Sequence, residues 1–256
     1  MKSIQFIAVP ILGDIKPGGL GPLVLQIIRE VPLYDHDIVI IAQKAISKAE
    51  GAVIPLADVI PSVRAQVLGD QLNLDPRLVE VIIRQGEVIR ISHTAMLIRT
   101  VHGIVCVNGG VDQSNTGKGL VTVLPLQPDI SAKKVRQLIK DFTKREVATI
   151  ITDTNSRFYR NGIVNQTIGI SGINPVKSYV GETDPYGYVL QSSCTAIVDE
   201  IAAGAGLLMG KFEGVPAVVL RGYTYEPAEF SASLIYDTRI TKAQDLLENQ
   251  SWLNNP

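Results

Sequence analysis

The chain has 256 residues, with 24 Lys and Arg against 25 Asp and Glu, so its formal net charge is −1 at pH 7. This balance excludes binding that depends on a large positive charge, and we expect no nucleic-acid partner and no membrane partner. With 46% hydrophobic and 19% charged residues, the chain can bury a sizeable core, which excludes disorder of the whole chain.

Short apolar runs rich in Val and Ile predict buried β-strands. They are bounded by Gly, Pro, Asp or Asn and cover residues 4–9, 37–43, 103–108, 147–153 and 215–222. No run approaches the roughly 18 apolar residues that a membrane helix needs. No signal-peptide cleavage site follows the first run, so we expect a cytoplasmic protein.

Helical periodicity is clearest after Ser131, where apolar residues recur at i, i+3, i+4 and i+7 from Val135. We expect Ser131 to cap this helix. Further helices are predicted at residues 20–30, 61–73, 76–85, 194–209 and 241–250. The fold class is therefore mixed α/β (α+β), and residues 55–95 are either a smaller lobe or an insertion.

Several common sites are absent from the sequence. There is no GxxxxGK[ST] motif, so the chain has no P-loop for phosphate. The three His and two Cys residues lack the spacing of zinc ligands. Cys106 and Cys194 show no spacing that suggests a disulfide, and we expect two buried free thiols.

The most informative segment is residues 148–162, in which an apolar run leads into polar side chains. We expect the strand to end in Asp153, Thr154 and Asn155. The carboxylate of Asp153 and the hydroxyl of Thr154 are hard oxygen ligands suited to Mg²⁺ or Mn²⁺. Arg157 and Arg160 follow and provide planar guanidinium groups for phosphate or carboxylate oxygens. The alternative is an Asx-turn at Asp153 with solvated arginines.

A second polar segment follows the run GIVCVN. Gly109 and Gly110 allow backbone amides to approach a ligand, and Asp112 and Asn115 add polar groups to the turn. By themselves, these glycine, aspartate and asparagine residues are typical of an ordinary turn. Together with Asp153 it would provide two acidic strand ends, enough to hold a divalent metal ion against a polyphosphate.

Two further segments carry charge. Lys44 and Lys48 would share one face if their segment is helical, and they are either phosphate contacts or solvated lysines. Asp199 and Glu200 are expected to be solvated charges on a helix. Glu213 follows in a loop bounded by glycines, from which it could reach a metal ion.

In this order, the segments resemble the CofE family of γ-glutamyl ligases in deazaflavin cofactor synthesis. The resemblance runs from about residue 5 to 222 and depends on the combination of DxSN with DTNxRxxRxG. It implies one ligase region over residues 1–256, with a two-lobed α+β fold and an intertwined homodimer. It also implies that the protein uses GTP and Mn²⁺ or Mg²⁺ to couple L-glutamate to a deazaflavin acceptor. A monovalent cation is a further candidate cofactor.

The same resemblance implies roles for individual residues. Asp112, Asp153 and Thr154 match metal-ligand positions, and Arg157 and Arg160 are assigned to catalysis. The implied GTP contacts are Leu12, Gly13, Asp14, Ile15, Gln43, Lys44, Lys48, Asn115, Met209, Gly210, Lys211 and Phe212. The implied mechanism is phosphoryl transfer to the acceptor carboxylate, followed by attack of the glutamate amine on the acyl phosphate.

The chain departs from the family pattern at three places. Gly18-Gly19-Leu20 replaces a GDDL sequence with two carboxylates, Gly109 replaces an alanine, and Lys211 replaces an acidic residue. We expect Glu213 to supply the missing metal ligand. The alternative is that the second metal ion is lost and that Lys211 replaces its charge.

Two other functions remain open at this point. The acceptor could be a folate or another pteridine-like molecule, because the sequence does not identify the residues that bind it. The chain could also be a non-catalytic homologue that binds nucleotide or metal, as Lys211 and the missing carboxylates suggest.

Overall fold

The computed structural model of the chain describes residues 3–11, 13–92, 95–157 and 160–236. The helices in this part of the chain are α1 (Leu20–Glu30), α2 (Gln43–Glu50), α3 (Val63–Leu72), α4 (Pro76–Ile83), α5 (Pro128–Thr143) and α6 (Ile197–Met209). The strands are β1 (Gln5–Val9), β2 (Ile38–Ala42), β3 (Val53–Pro55), β4 (Gly86–Ile91), β5 (Met96–Thr100), β6 (Val105–Val107), β7 (Leu120–Thr122), β8 (Ala148–Arg157), β9 (Arg160–Ser171), β10 (Lys177–Ser178), β11 (Cys194–Thr195) and β12 (Ala217–Arg221).

The prediction of a mixed α+β fold is confirmed. The five apolar runs form β1, β2, β6, β8 and β12, and the segment of Lys44 and Lys48 is helical. The predicted helix at 241–250 lies outside the described residues. Among the residues that are described, no helix has the length and apolar character needed to cross a membrane.

The chain divides into two units. The described residues of Met1–Gly51 and Pro125–Ile235 form the first unit, and those of Ala52–Leu124 form the second unit together with Tyr236. The segment 55–95 lies within the second unit.

The first unit is built on a five-stranded sheet with the order β1-β12-β2-β8-β9. The pair β2 and β8 is parallel, and the other neighbouring pairs are antiparallel. Strands β2 and β12 are buried at every residue except the last, as continuous apolar runs predict. Helix α5 packs against β8 and β9, and α6 packs against β9, β1 and β12.

Helix α5 begins one turn before the predicted cap. Its first residue is Pro128, so Ser131 lies inside the helix, and the prediction of Ser131 as the cap is wrong. Proline suits a first helical position because its φ is fixed and its missing N–H would have no helical partner. The Ser131 hydroxyl instead donates a hydrogen bond of 2.7 Å to Oε1 of Glu50.

The second unit contains an antiparallel meander of β4, β5 and β6 and an antiparallel pair of β3 and β7. Helices α3 and α4 pack against each other. Val79 and Ile82 of α4 are buried in one apolar cluster with Met96 and Ile98 of β5. This unit therefore has a hydrophobic core of its own.

The two cysteines differ in exposure. Cys106 on β6 is buried, but Cys194 on β11 is exposed, and both are free thiols. The prediction of two buried thiols is wrong for Cys194, because among the described strands β11 pairs only with the two-residue strand β10 and not with the central sheet.

Candidate active site

Strand pairing brings four chain segments to one end of the first unit's sheet. Ala217 pairs with Val9 of β1 and with Ile41 of β2, while Ala42 pairs with Thr152 of β8. The segments that follow β1 and β2, the segment that precedes β12, and the outer half of β8 therefore lie at the same end.

Backbone hydrogen bonds connect these segments. Ile11 N–H donates to the carbonyl of Gly214 over 2.9 Å, and Ala42 N–H donates to the carbonyl of Pro216 over 2.8 Å. Leu12 lies outside the described residues. The predicted site residues on the four segments are Gly13, Asp14, Ile15, Gln43, Lys44, Lys48, Asp153, Thr154, Met209, Gly210, Lys211, Phe212 and Glu213.

Asp153 and Thr154 lie within a strand and not at its end. Asp153 pairs with Gln166, and Thr154 pairs with Asn165 across the β8–β9 hairpin, which continues to Arg157. The prediction that the strand ends at Asp153 is wrong, and so is the alternative of an Asx-turn there. The reason is that β9 supplies a partner strand well beyond the apolar part of β8.

A chain of side-chain hydrogen bonds surrounds Thr154. Lys211 Nζ donates to Thr154 Oγ1 over 3.1 Å. The Thr154 hydroxyl donates in turn to Asn165 Oδ1 over 3.0 Å. Asn165 Nδ2 donates to Met209 Sδ over 3.4 Å. Strands β8 and β9, the end of α6 and the loop after it therefore meet at this hydroxyl.

The loop after α6 is shaped by Glu213. Its Oε2 accepts hydrogen bonds of 2.7 Å from the backbone N–H groups of Lys211 and Phe212. The bond from Phe212 is the largest cause that holds the pKa of Glu213 below its usual value, and other amides of the turn act in the same direction. Gly210 has φ of 51° and ψ of −149°, a backbone conformation that favours glycine, and a side chain there would also displace the Glu213 carboxylate. The role of Glu213 as a metal ligand stays a prediction.

Lys48 is held by an ion pair. Its Nζ lies 2.6 Å from Asp14 Oδ1, and its side chain is only 14% exposed, whereas that of Asp14 is 66% exposed. The hydrogen bond from Lys48 is the main cause that lowers the pKa of Asp14. One turn earlier on α2, the buried Gln43 donates from Nε2 to Ser47 Oγ over 3.0 Å. A semi-buried lysine at an otherwise open edge is a suitable contact for an anion.

Asp199 is not the solvated charge that its helix position predicts. It is partly buried, and its Oδ1 accepts a 2.8 Å hydrogen bond from the backbone N–H of Thr167. Burial raises the pKa of Asp199 above its usual value, and the hydrogen bonds from Thr167 oppose this effect. Asp199 thereby joins the start of α6 to β9, and Glu200 beside it is exposed.

The predicted residues of the second unit lie on a turn. Asp112 forms an isolated antiparallel bridge with Thr122, and its Oδ1 accepts a 2.6 Å hydrogen bond from Ser114 N–H. This is an Asx-turn. Asn115 is exposed and has a left-handed backbone with φ of 57°. The roles of Asp112 and Asn115 stay predictions.

The adjacent glycines of this turn are closely packed. Gly109 has φ of +60°, and a Cβ there would lie 2.7 Å from Cβ of Gln85. A Cβ on Gly110 would lie 2.5 Å from Leu124 Cδ2. Close packing within the second unit is thus sufficient to explain both glycines, whether or not a ligand approaches them.

The two arginines assigned to catalysis lie at the tip of the hairpin. Arg157 is the last residue of β8, Arg160 is the first residue of β9, and they pair with each other in the sheet register. The side chain of Arg160 is exposed. Their catalytic role stays a prediction.

The start of α1, where the family pattern predicts two carboxylates, is held by a backbone hydrogen bond. Gly19 caps the helix without a side-chain hydrogen bond, and the first turn contains no acidic residue. The backbone N–H of Gly19 instead donates to the carbonyl of Ala49 over 2.9 Å. This places the start of α1 against the end of α2.

The donors of the first unit match a hard divalent cation in kind. Asp153 provides a carboxylate and Thr154 a hydroxyl, and both are partly exposed. In number they are few, because no group of three or more His, Cys, Asp and Glu side chains in the described part of the chain could hold a metal ion. Further ligands would come from phosphate oxygens or water, as is usual for Mg²⁺.

Three residues of this region were not among the sequence predictions for the site: Asn165, Gln166 and Asp199. Asn165 holds Thr154, and Gln166 Oε1 accepts a 3.0 Å hydrogen bond from Asn155 Nδ2. The sequence does contain a sign of this pairing. In β8 an apolar run is followed by polar residues, whereas in β9 the polar pair Asn165-Gln166 is followed by an apolar run, as expected for an antiparallel partner.

Comparison with known proteins gives consistent matches. The family model described as F420-0:Gamma-glutamyl ligase matches residues 14–222. Coenzyme F420:L-glutamate ligase of Methanothermobacter thermautotrophicus is 44% identical over 195 residues, which cover 75% of this chain and 77% of that protein. The protein of the same name from Methanopyrus kandleri is 37% identical over 232 residues, covering 90% and 91%. That of Archaeoglobus fulgidus is 39% identical over 193 residues, covering 75% and 78%.

Proposed function

This chain belongs to the F420-0:γ-glutamyl ligase family, and we propose that it couples L-glutamate to a deazaflavin acceptor, with GTP as co-substrate and Mn²⁺ or Mg²⁺ as metal. Members of this family are ligases, so the chain is an enzyme that forms a bond to glutamate. The acceptor, the nucleotide and the metal are the parts of the proposal that need experiment.

One structural observation supports the proposal most directly. A carboxylate, a hydroxyl and several lysines lie on four segments that meet at one end of the first unit's sheet. Lys48 and Lys211 provide positive charge for phosphate oxygens, and Asp153 and Thr154 provide oxygen ligands. A nucleoside triphosphate with a divalent cation needs this combination of groups.

The proposed reaction has two steps. The γ-phosphoryl group of GTP is transferred to a carboxylate oxygen of the acceptor, which gives GDP and an acyl phosphate. The amine of L-glutamate then attacks the acyl carbon, the C–O bond to phosphate breaks, and an amide and inorganic phosphate are formed. The amine loses its proton in this step.

The residues of this edge would act by positioning and by balancing charge. Lysine ammonium groups beside the triphosphate stabilise the charge that develops during phosphoryl transfer. Asp153 and Thr154 would hold the cation, which when bound neutralises phosphate charge. The ion pair with Asp14 keeps the Lys48 ammonium oriented before the nucleotide binds. Asp112 of the second unit and the hairpin arginines stay predicted participants.

We also propose that the protein is a cytoplasmic homodimer, as the family resemblance implies. Light scattering during size-exclusion chromatography tests the dimer, which requires twice the 27.7 kDa mass of the chain. A mass that corresponds to one chain at micromolar concentration would exclude it.

The test of the function is mass spectrometry of reactions that contain the protein, GTP, Mn²⁺, L-glutamate and a panel of deazaflavin and folate acceptors. We expect glutamylated deazaflavin, with GDP formation that depends on both glutamate and acceptor. Glutamylated folate alone would replace the acceptor in the proposal. Nucleotide binding without any product would identify a non-catalytic homologue.

A further inference from the structure

The side chain of Lys211 occupies a defined place beside Thr154. The two side chains come from distant parts of the sequence, and the distance between Lys211 Nζ and Thr154 Oγ1 is 3.1 Å. Lys211 is an exposed residue in a loop. A long cationic side chain in such a loop normally stays mobile unless the loop and its target are both fixed. Here both are fixed.

The loop is fixed by the residues on either side of Lys211. Gly210 ends α6 with φ of 51° and leaves the space that the Glu213 carboxylate fills. Glu213 Oε2 then accepts the N–H groups of Lys211 and Phe212 at 2.7 Å each. The carboxylate is therefore directed at the backbone of its own loop, and this holds the main chain of Lys211 in place.

The Thr154 hydroxyl is oriented so that its oxygen accepts a hydrogen bond from Lys211. Thr154 directs its proton to Asn165 Oδ1, so the lone pairs of Oγ1 are directed elsewhere, and Lys211 uses one of them. The Asn165 amide is held in this orientation because its Nδ2 donates to Met209 Sδ. A Cβ on Gly206 would lie only 3.2 Å from that amide, so the helix backbone also confines it.

We propose that Lys211 is a fixed cation that binds phosphate oxygens beside Thr154 in place of a second divalent metal ion, while the other lone pair of Thr154 Oγ1 can still bind the metal ion that Asp153 holds. A hydroxyl whose proton is donated elsewhere presents its lone pairs, and a lone pair can bind either a metal ion or an ammonium N–H. In this chain the ammonium is already there. An ammonium provides one positive charge and up to three N–H donors, which suit phosphate oxygens. Glu213 is then a positioning residue of the loop and not a metal ligand.

The inference rests on the proposed function only for the identity of the natural triphosphate. The probe is therefore inorganic tripolyphosphate with Mg²⁺, which contains neither base nor sugar. Calorimetry would compare the wild type with Lys211→Met, which keeps the length of the side chain without its charge, and with Lys211→Arg. Lys133→Met, an exposed lysine on α5, is the matched control.

We expect Lys211→Met to weaken tripolyphosphate binding by about 10-fold to 100-fold, as loss of a charged hydrogen bond does. Lys211→Arg should recover most of this loss, and Lys133→Met should leave binding unchanged. Equal affinities of the wild type and Lys211→Met would overturn the inference. Unchanged thermal unfolding of the loop variants confirms that the fold is not the cause.

A count of bound Mn²⁺ by electron paramagnetic resonance provides the second readout, with a non-hydrolysable GTP analogue present. Lys211→Glu, which places a carboxylate beside Thr154, should bind one Mn²⁺ more per chain than the wild type. Glu213→Gln should leave the count unchanged, because its amide oxygen can still accept the two backbone N–H groups. One Mn²⁺ fewer in Glu213→Gln would show that Glu213 is a ligand, contrary to the inference.

The two proposals can fail separately. If tripolyphosphate binding depends on Lys211 but no acceptor is glutamylated, the phosphate site stands and the proposed function fails. If the protein glutamylates a deazaflavin while Lys211→Met binds tripolyphosphate as well as the wild type does, the function stands and the role of Lys211 is disproved.

Discussion

The β8–β9 hairpin of the first unit and the turn at Asp112 in the second unit share one sequence feature but differ in structure. Each has an aspartate after a run of apolar β residues. Asp153 lies inside a long strand that is paired through Arg157, whereas Asp112 uses one carboxylate oxygen to close an Asx-turn. An aspartate that follows an apolar run can therefore lie in a paired strand or in an Asx-turn, and a long partner strand such as β9 decides between them.

This difference affects what each carboxylate can do. A carboxylate on a paired strand is held by the sheet, whereas a carboxylate in an Asx-turn also supports its own backbone. Loss of Asp153 should affect chemistry and leave the fold intact. Loss of Asp112 can affect both. Substitutions that keep the shape of the side chain but remove its charge separate these effects.

The largest effect is expected at Asp153. In Asp153→Asn, turnover should fall by more than about 100-fold, because removal of groups that only support a metal ligand already costs about 10-fold to 100-fold. Steady-state kinetics and Mn²⁺ binding would measure it. The matched control is Asp141→Asn on the exposed side of α5, which should behave as the wild type. Wild-type Mn²⁺ affinity in Asp153→Asn would exclude Asp153 as a ligand.

Asp112→Asn tests the turn. The amide oxygen of asparagine can still accept the Ser114 N–H, so thermal unfolding should be unchanged. If Asp112 is also a metal ligand, turnover should fall to a level similar to that of Asp153→Asn. A fully active Asp112→Asn would mean that the aspartate serves the turn alone, and Asp112→Ala would then lower only stability.

Lys48→Ala should weaken GTP binding more than guanosine binding. The expected difference is about 1.5–3 kcal/mol, which is the contribution of a hydrogen bond to a charged group. Isothermal calorimetry with the two ligands measures it, and Asp14→Asn is the useful companion variant because it removes the ion pair but keeps the lysine. Equal losses of affinity for GTP and for guanosine would show that Lys48 supports the fold and does not contact phosphate.

The smallest effect concerns Asp199, which joins β9 to α6. Burial raises its pKa in the folded state, so the folded state loses stability relative to the unfolded chain as pH rises from the unfolded pKa through the raised folded pKa. Asp199→Asn keeps the acceptor for Thr167 N–H and should remove this part of the acid pH dependence without loss of stability at pH 7. Chemical denaturation between pH 3 and pH 7 would reveal it, and an unchanged pH profile would contradict the assignment.

Much of the first unit could be predicted from sequence because its central strands are buried on both faces. Continuous apolar runs such as that of β2 have few alternatives to a central strand. The helices α1 and α6 also follow their periodicity. Segments with mixed polarity were harder, since the first ten residues of β9 contain few apolar side chains and become a strand only through pairing with β8.

The candidate site was predictable in composition and not in geometry. The sequence placed Asp153, Thr154 and Lys211 among the functional residues, but nothing local indicates that Lys211 reaches Thr154. The same holds for Ser131 and Asp199, whose hydrogen bonds are made to residues far away in the sequence. Such contacts depend on how the elements pack, and a local pattern does not encode them.

In the proposed reaction, this protein activates a carboxylate of its acceptor by phosphorylation. The direct test is to label that carboxylate with heavy oxygen, run one round of glutamylation with GTP, and determine the label in the inorganic phosphate by mass spectrometry. We expect one labelled oxygen per amide formed to appear in phosphate, because the C–O bond of the acyl phosphate breaks. Glutamylated product accompanied by unlabelled phosphate would contradict it.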